Sequence, residues 1–341
     1  MIIAEIGQAH DGSVGILHAY IDALGATGVD AIKFQTHIAE AESSEWEQFR
    51  VPFSRVDKTR YDYWKRMELT LDQWKEVSDH CSTAGVEFVS SPFSCAAVDL
   101  LENVGVQRYK VGSGEISNHL LLQHIAATRK PVILSSGMSN WEELDSAVSL
   151  FIKENIPVAV LQCTTAYPTT PQQWGLHILK IIKDRFNIPV GFSDHSGDIY
   201  ACLAATALGA EIIEFHAVFD QRMFGPDAKA SLTIDDIKRL VDGIRQIRIA
   251  MAHDFLKEEM AAGFTDLKLL FGKSLAVNKA LLPGHIIQLE DLEAKKPAGR
   301  GIAARDYKEL PGATVKHHLN QWQFITENDI QYLCVPPEKF A

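Results

Sequence analysis

Long apolar runs, a basic excess and closely spaced cysteines are all missing from this chain of 341 residues. No stretch of about eighteen apolar residues occurs, so no membrane-spanning helix is expected. Lys and Arg number 33 against 44 Asp and Glu, a formal net charge of −11. Such a surface lacks the basic stripe that sequence-independent nucleic-acid binding needs. A small anion can still be held in a locally basic pocket. The five cysteines (Cys81, Cys95, Cys163, Cys202 and Cys334) are scattered, odd in number and never spaced CxxC. Free thiols in a reducing cytoplasm are expected rather than a disulfide scaffold. The N-terminus, MIIAEIGQAHDG, has no basic stretch followed by an apolar one, so no signal peptide is expected.

What is present is ordinary for a globular chain: 46% hydrophobic and 23% charged residues. At roughly 100–200 residues per domain, two domains are expected. Short apolar runs rich in Val and Ile recur at 2–6, 30–35, 87–90, 108–111, 132–135, 158–163, 189–192 and 211–216. They read as buried parallel strands. Between them, segments such as 72–84, 95–104, 140–153 and 199–208 carry apolar residues at three and four spacing, as amphipathic helices do. Thr233 and Asp236 open a further helix, 233–252, with a capping-box pattern. Eight strands alternating with helices over residues 1–260 match a (β/α)8 TIM barrel, with an open doubly wound sheet as the competitor. Residues 36–70 form a long polar and aromatic insert after the second strand, which a barrel places on its active face. Beyond a linker at 261–273 the texture changes to short strands at 274–279 and 286–289, the turn LLPGH and the loop KKPAGRGIAA (295–304). A small β-rich second domain, 274–341, is expected.

Barrel chemistry gathers at the C-terminal ends of the strands. Here nearly every end is polar: Glu5, Lys33 with Gln35, Ser91, Lys110 with Ser113 and Glu115, Ser135, Cys163 with Thr165 and Tyr167, Ser193 with Asp194 and His195, and Glu214 with His216. Alternation puts Lys33 and Gln35 on one side of their strand, and Glu214 and His216 on one side of theirs. Two lysines pointing inward repel unless an anion joins them. With serines and glycine-backed amides beside them, they read as a phosphate or carboxylate site. The plainer alternative has each lysine snorkelling to solvent. His195 and His216 close neighbouring strands and can share a divalent ion, with Glu214 or Asp194 ligating or orienting a ring, or they form a hydrogen-bonded core pair. Glu5 is a candidate acid or base, or a salt-bridge partner of Lys33. His10 is a further polar group for the barrel mouth. Cys163 has no evident base and reads as packing. A dianion site beside a polarised carbonyl suggests joining a phosphorylated three-carbon unit to an aldehyde.

The same strand ends carry a family resemblance. The stretches AEIGQAHDG (4–12), KFQT (33–36), SSPFSCAAVDLL (90–101), YKVGSGEISN (109–118), LSSGMSNWEEL (134–144), CTTAYPT (163–169), GFSDHS (191–196) and EFHAVFDQRMFGPDAKASL (214–232) resemble the sialic acid synthase (N-acetylneuraminate synthase) family. The C-terminal part, including KKPAGRGI (295–302), resembles that family's antifreeze-like (SAF, β-clip) domain. The resemblance implies condensation of phosphoenolpyruvate with an N-acetylmannosamine-like aldose, giving a nine-carbon 2-keto-3-deoxy acid and phosphate by C–O cleavage. It implies a metal on His195 and His216, commonly Mn²⁺, with Mg²⁺ or Co²⁺ as alternatives. Lys33, Lys110, Ser113, Ser135 and Ser193 would bind phosphoenolpyruvate. Glu5, Gln35, Tyr167 and Asp227 would contact the sugar or steer protons. A homodimer with swapped C-terminal domains is implied, in which a basic residue of KKPAGRGI reaches the partner's sugar.

Several positions depart from the family's pattern: Ala9-His10-Asp11 for Asn-His-Asn, Thr165 for Asn, Ser91 for Thr, and Ala228 for His. Lys296 replaces the capping Arg, with Arg300 nearby. The changes cluster where the sugar should lie. Mannose, a 6-phosphorylated acceptor and a diacetamido hexose are therefore alternatives. A Schiff-base aldolase on Lys33 or Lys110 and a non-catalytic sugar-binding protein are the competing classes.

Overall fold

The computed structural model describes residues 1–332 apart from Pro52 and Phe255. Cys334 lies outside the described residues. All eight expected strands form: β1 (Ile2–Glu5), β2 (Ala31–Thr36), β3 (Glu87–Pro92), β4 (Tyr109–Val111), β5 (Val132–Ser135), β6 (Val158–Cys163), β7 (Val190–Asp194) and β8 (Ile212–Val218). Each pairs in parallel with the next, and β1 pairs with β8 in the register Ile2↔Ile213 to Glu5↔His216. That last pairing removes both sheet edges, so the open doubly wound sheet is excluded and the TIM barrel stands.

Helices return the chain between strands. In the order of the chain they are α1 (Val14–Gly25), α2 (Ala39–Glu42), α3 (Arg60–Met67), α4 (Leu71–Thr83), α5 (Cys95–Val104), α6 (His119–Ala127), α7 (Trp141–Lys153), α8 (Ile178–Phe186), α9 (Tyr200–Ala207) and α10 (Ile234–Met251). Local chemistry sets their starts. Thr70, Asn140 and Thr233 each accept from the backbone N–H three residues on, which satisfies an otherwise orphaned donor. Their inner faces meet the outer barrel wall in one continuous core that includes Leu17, Trp74, Val98, Phe151 and Ile244.

The barrel interior has two storeys, set by the two-residue period of a strand. Ile3, Ala31, Val89, Ile133, Leu161 and Ile212 form an apolar floor. One step further along their strands stand Glu5, Lys33, Ser91, Ser135, Cys163 and Glu214, all buried. Gly191 of β7 belongs to the floor by default. A Cβ there would sit 2.8 Å from the Ile212 Cβ and closer still to the Ile212 carbonyl and the Leu161 side chain. Backbone on one side leaves little room to relax, so Gly191→Ala is expected to cost about 3 kcal/mol. Thermal denaturation should register a fall of about 6–12 °C in Tm. An unchanged Tm would mean the floor is loosely packed.

The insert after β2 is ordered around aromatics. Tyr63, Trp64 and Met67 of α3 bury with Ala39, against Phe49 and Phe53. Thr59 and Asp62 cap α3 reciprocally. Arg66 grips Asp57 through two bonds of 2.9 and 2.8 Å and reaches Asp11 Oδ1 at 2.6 Å, tying the insert to the loop after β1.

The chain divides into two units, Met1–His253 and Asp254–Ala341. In the second, residues 261–273, expected as a linker, lie largely in helix: α11 (Lys257–Gly263) and α12 (Thr265–Phe271). The Lys-Glu-Glu-Met-Ala-Ala run has the helix propensity for this, and a reading that sought only a change of texture passed over it. The expected strand from Ser274 forms as β9 (Ser274–Val277), antiparallel to β10 (Leu292–Lys295). The strand expected at 286–289 does not. Ile286 makes one isolated bridge to Thr314, and Gln288 and Asp291 cap each other around a 3-10 turn, which diverts the backbone from pairing. A second short pair, β11 (Thr314–Val315) with β12 (Ile330–Gln331), completes a core of Leu275, Val277, Leu281, Ile287, Leu319 and Ile325.

Candidate active site

A cavity of about 380 Å³ opens at the C-terminal end of the barrel strands. It is lined by Glu5, Lys33, Gln35, Ser91, Lys110, Ser113, Glu115 and Ser135. Thr165, Tyr167, Ser193, His195, His216 and Asp227 complete the set of barrel residues expected from sequence. Lys296 and Arg300 belong to the C-terminal unit. Lys296 Nζ stands 5.0 Å from the Phe271 ring, and the Arg300 N–H donates to Ser274 Oγ at 3.1 Å.

Glu214 organises the charged storey. Its Oε1 accepts from Lys33 Nζ at 2.9 Å and from Ser193 Oγ at 3.1 Å, and lies 3.4 Å from Lys110 Nζ. Lys33 also pairs with Glu5 Oε2 at 2.9 Å, and Lys110 donates to Ser135 Oγ at 2.7 Å. The two lysines therefore do not repel across a bare space, because Glu214 stands between them and Glu5 also pairs with Lys33. Glu214 accordingly does not serve His195 or His216, contrary to expectation. Asp194 does not either. Alternation turns it away from the barrel interior, where it holds the Ser196 N–H at 3.1 Å and the Ser196 hydroxyl at 2.6 Å. Burial works against ionising Glu214, but Lys110 and Lys33 outweigh it and hold the carboxyl below its usual range. Burial lowers the Lys110 ammonium, with Glu214 pulling the other way. For Lys33 burial also acts downward, and Glu214 and Glu5 overcome it.

Two buried polar atoms on the cavity wall, Ser91 Oγ and Glu214 Oε2, have no hydrogen-bond partner among the described residues. Buried polar groups rarely stay unpaired, so both mark where a ligand's polar atoms belong. The amide of Gly137 donates to Ser113 Oγ at 3.0 Å, and a Cβ at this glycine would sit 2.7 Å from the same Oγ. Glycine keeps that part of the wall open beside Ser113.

The imidazoles stand next to this floor, their ring centroids 5.2 Å apart. His195 Nδ1 lies 3.0 Å from the carbonyl of Thr164, which can only accept. Nδ1 therefore carries the proton and Nε2 offers a lone pair. Burial, with His216 adding to it, depresses the His195 pKa to about 3, so the ring is neutral at ordinary pH. His216 Nε2 donates to Glu5 Oε2 at 3.0 Å, and Gln35 Nε2 donates to Glu5 Oε1 at 2.6 Å. Glu5 is thus the salt-bridge partner of Lys33, one of the two alternatives that the sequence offered. Among the described residues no three His, Cys, Asp or Glu side chains are grouped to hold a metal. The pair fits an ion held by two imidazoles with its other positions open to substrate and water. Binding there would displace the proton shared with Glu5.

His10 is a second correction. It is buried behind the loop after β1, accepts from the Gly12 N–H at 3.2 Å, and does not line the cavity. Cys163 does line it, but burial pushes its thiol up to about 11, and the nearest base nitrogen, His195 Nδ1, is 3.8 Å away and already donating to Thr164. Nucleophilic work is excluded on both counts.

The outer wall is what sequence reasoning left unnamed. The insert contributes His37, Glu42, Glu47, Arg50, Arg60 and Trp64. His37 is sandwiched between Trp64 and Phe93, at centroid distances of 3.8 and 4.5 Å, and its Nε2 lies 3.1 Å from Gln35 Oε1. That contact fixes the Gln35 amide so that its NH₂ faces Glu5. Aromatics interleaved with arginines through residues 46–66 were the available signal, since a loop that only solvates does not bury its rings.

Fold and site together define a TIM barrel with a charged storey of two lysines and two carboxylates beside an imidazole pair at its C-terminal face. The NeuB family matches residues 20–255. An N,N'-diacetyllegionaminic acid synthase of Campylobacter jejuni is 34% identical over 96% of this chain and 99% of its own length. The N-acetylneuraminate-9-phosphate synthase of Mus musculus is 30% identical over 97% of this chain and 92% of its own. A solved structure, the N-acetylneuraminic acid (sialic acid) synthetase of Leptospira borgpetersenii in complex with citrate, superposes with a TM-score of 0.68 at 28% identity, over 78% of this chain and 92% of that one. The chain belongs to the NeuB family and is an enzyme of the sialic-acid-synthase type. No helix among the described residues is long and apolar enough to cross a membrane.

Proposed function

We propose that this enzyme condenses phosphoenolpyruvate with an N-acetylmannosamine-like aldose, forming a nine-carbon 2-keto-3-deoxy acid and releasing phosphate. The observation that carries the reading is the charged storey itself: two buried lysines and Ser193 gathered on one carboxylate, with Ser135 on Lys110, beside two imidazoles. Lys33, Lys110, Ser113, Ser135 and Ser193 hold the phosphate and carboxylate of phosphoenolpyruvate, taking over bonds now made to Glu214. The C2–C3 π electrons form the new bond to the aldehyde carbon, whose oxygen gains a proton. Water adds at C2 and loses one proton, which balances the one gained by the aldehyde oxygen. The C2–O bond to phosphate then breaks as the C2 hydroxyl gives up its remaining proton to the departing phosphate, leaving the ketone. Glu5 and Gln35 line the path of those protons, and Tyr167 and Asp227 contact the sugar. His195 and His216 would hold a divalent ion, Mn²⁺ in first place, which when bound polarises the aldehyde.

The C-terminal unit is proposed to be an antifreeze-like cap that acts on a partner's barrel in a homodimer, through Lys296 or Arg300. No residue of α11 or α12 is buried, and Phe264, Leu267, Leu270 and Phe271 are exposed, an apolar surface that a second copy would cover.

Phosphate release from phosphoenolpyruvate with Mn²⁺ tests the reaction. Acceptors are N-acetylmannosamine, mannose, their 6-phosphates and a 2,4-diacetamido hexose, each with and without chelator, with the product mass read in parallel. Chelator-sensitive release with an adduct of the expected mass supports the reading. Chelator-indifferent turnover with a borohydride-trapped adduct would replace it with a lysine aldolase.

A further inference from the structure

The outer half of the cavity bears on which acceptor is used. Arg50 lies in the insert after β2, outside every stretch that carries the family resemblance. Its Nη2 donates to Asp227 Oδ1 at 2.8 Å, and its Cζ stands 4.2 Å from the centre of the Tyr167 ring. Tyr167 follows β6 and Asp227 follows β8, so one side chain spans the mouth between them. The Tyr167 ring in turn lies 4.1 Å from that of His195, next to where an aldehyde would react. A guanidinium carries five N–H donors. Among the described residues, Arg50 makes no hydrogen bond besides the one to Asp227, and its side chain is 45% exposed on the cavity wall.

We propose that Arg50 is the acceptor-specificity residue of this enzyme, presenting its spare N–H groups to an uncharged oxygen of the sugar, an acylamido carbonyl or a hydroxyl. This rests on the proposed reaction and deepens it. Charge decides between an uncharged oxygen and a phosphate. The two arginines of the outer wall are each matched by a carboxylate: Arg50 by Asp227, and Arg60 by Glu47 at 3.3 Å. Glu42 and Glu115 share that wall. With Asp227, Glu47, Glu42 and Glu115 the outer wall sets four carboxylates against two guanidiniums, so a phosphorylated acceptor would bring a dianion to a wall of net negative charge, whereas the floor sets Lys33 and Lys110 against only Glu5 and Glu214. The remaining cations, Lys33 and Lys110, lie on the floor that phosphoenolpyruvate occupies. The planar fork matters as well. One edge holds Asp227, the face rests on Tyr167 and the other edge is left for the ligand, an arrangement an ammonium cannot reproduce. It places in this chain's own insert a guanidinium of the kind that the Lys296 position lacks.

Steady-state kinetics on the full chain test this, with wild type, Arg50→Ala and Arg50→Lys. The acceptors are N-acetylmannosamine, a 2,4-diacetamido hexose and N-acetylmannosamine 6-phosphate. Expected is an acceptor kcat/KM lower by about 10–100-fold in Arg50→Ala and not restored by Arg50→Lys. The KM for phosphoenolpyruvate should stay within about twofold, which shows that the variant is folded and its floor intact. Wild type should favour the unphosphorylated acceptor. An unchanged acceptor KM in Arg50→Ala would overturn the assignment. So would a wild-type preference for the 6-phosphate that disappears in Arg50→Ala. Wild-type phosphate release alone bears on the reaction, whereas only the variant-to-wild-type ratio bears on Arg50, so the two readings fail separately.

Discussion

Replacing Lys110 by Ala is expected to reduce phosphate release from phosphoenolpyruvate by about a thousandfold or more. Lys110 is fully buried, 2.7 Å from Ser135 Oγ and 3.4 Å from Glu214 Oε1. Removing one member of a buried charged network costs about 3–5 kcal/mol, because its partner is left short of compensation. That cost falls on folding; the rate loss comes from developing charge that Lys110 no longer meets, and a thousandfold corresponds to about 4 kcal/mol of transition-state stabilisation. Lys33 still holds Glu214 at 2.9 Å, so the barrel keeps one ion pair and should fold. Circular dichroism checks that. Ser135→Ala, which deletes only the hydroxyl partner, should cost about ten- to a hundredfold. The burial that lowers the Lys110 ammonium is also what a Schiff-base lysine needs. Borohydride with a keto acid should therefore be applied to wild type, where no adduct is expected. Turnover in Lys110→Ala close to wild type would remove this lysine from the chemistry altogether.

The second large effect is expected at His216. His216→Ala should lose bound Mn²⁺, measured as metal per chain after dialysis, and should lose at least about a thousandfold in turnover if the ion polarises the aldehyde. A site with two protein ligands has no reserve when one is deleted. Folding should survive, because Glu5, the hydrogen-bond partner of His216, keeps Lys33 at 2.9 Å and the Gln35 amide at 2.6 Å. His195→Ala is the matched control and should lose metal equally. Metal content equal to wild type in either variant would mean that the imidazoles serve only their bonds to Thr164 and Glu5.

The barrel was legible because its signal is local. A buried parallel strand needs only a short apolar run, and eight such runs at helix-length spacing leave few other folds. Strand alternation also brought Lys33, Lys110, His195 and His216 to the cavity from their sequence positions alone. The partners of those groups were not legible. Glu214 follows the same period as His216 and reads equally well as its neighbour's ligand. Only the closed barrel shows Glu214 reaching across the interior to β2 and β4. The insert failed for a different reason. Its residues carry no short period, and the contacts that matter, such as Arg50 with Asp227 across 177 positions, depend on how aromatic packing folds the loop. His10 misled because a histidine just past a strand can turn to the mouth or tuck under the loop, and Asp11, at φ 49°, turns the chain just after it.

The position of Glu214 between Lys33 and Lys110 gives the barrel a resident counter-ion. Any anion that reaches these lysines enters by exchange, as on a resin, and must replace bonds that Glu214 already makes in a medium where each one is strong. A singly charged ion such as chloride or acetate offers one attachment and recovers little of that cost. A small molecule with a carboxylate and a phosphate on adjacent atoms can engage both ammonium groups at once. Discrimination against the abundant small anions around the protein is therefore set by the strength of the contact to be displaced, and the dimensions of the opening matter less.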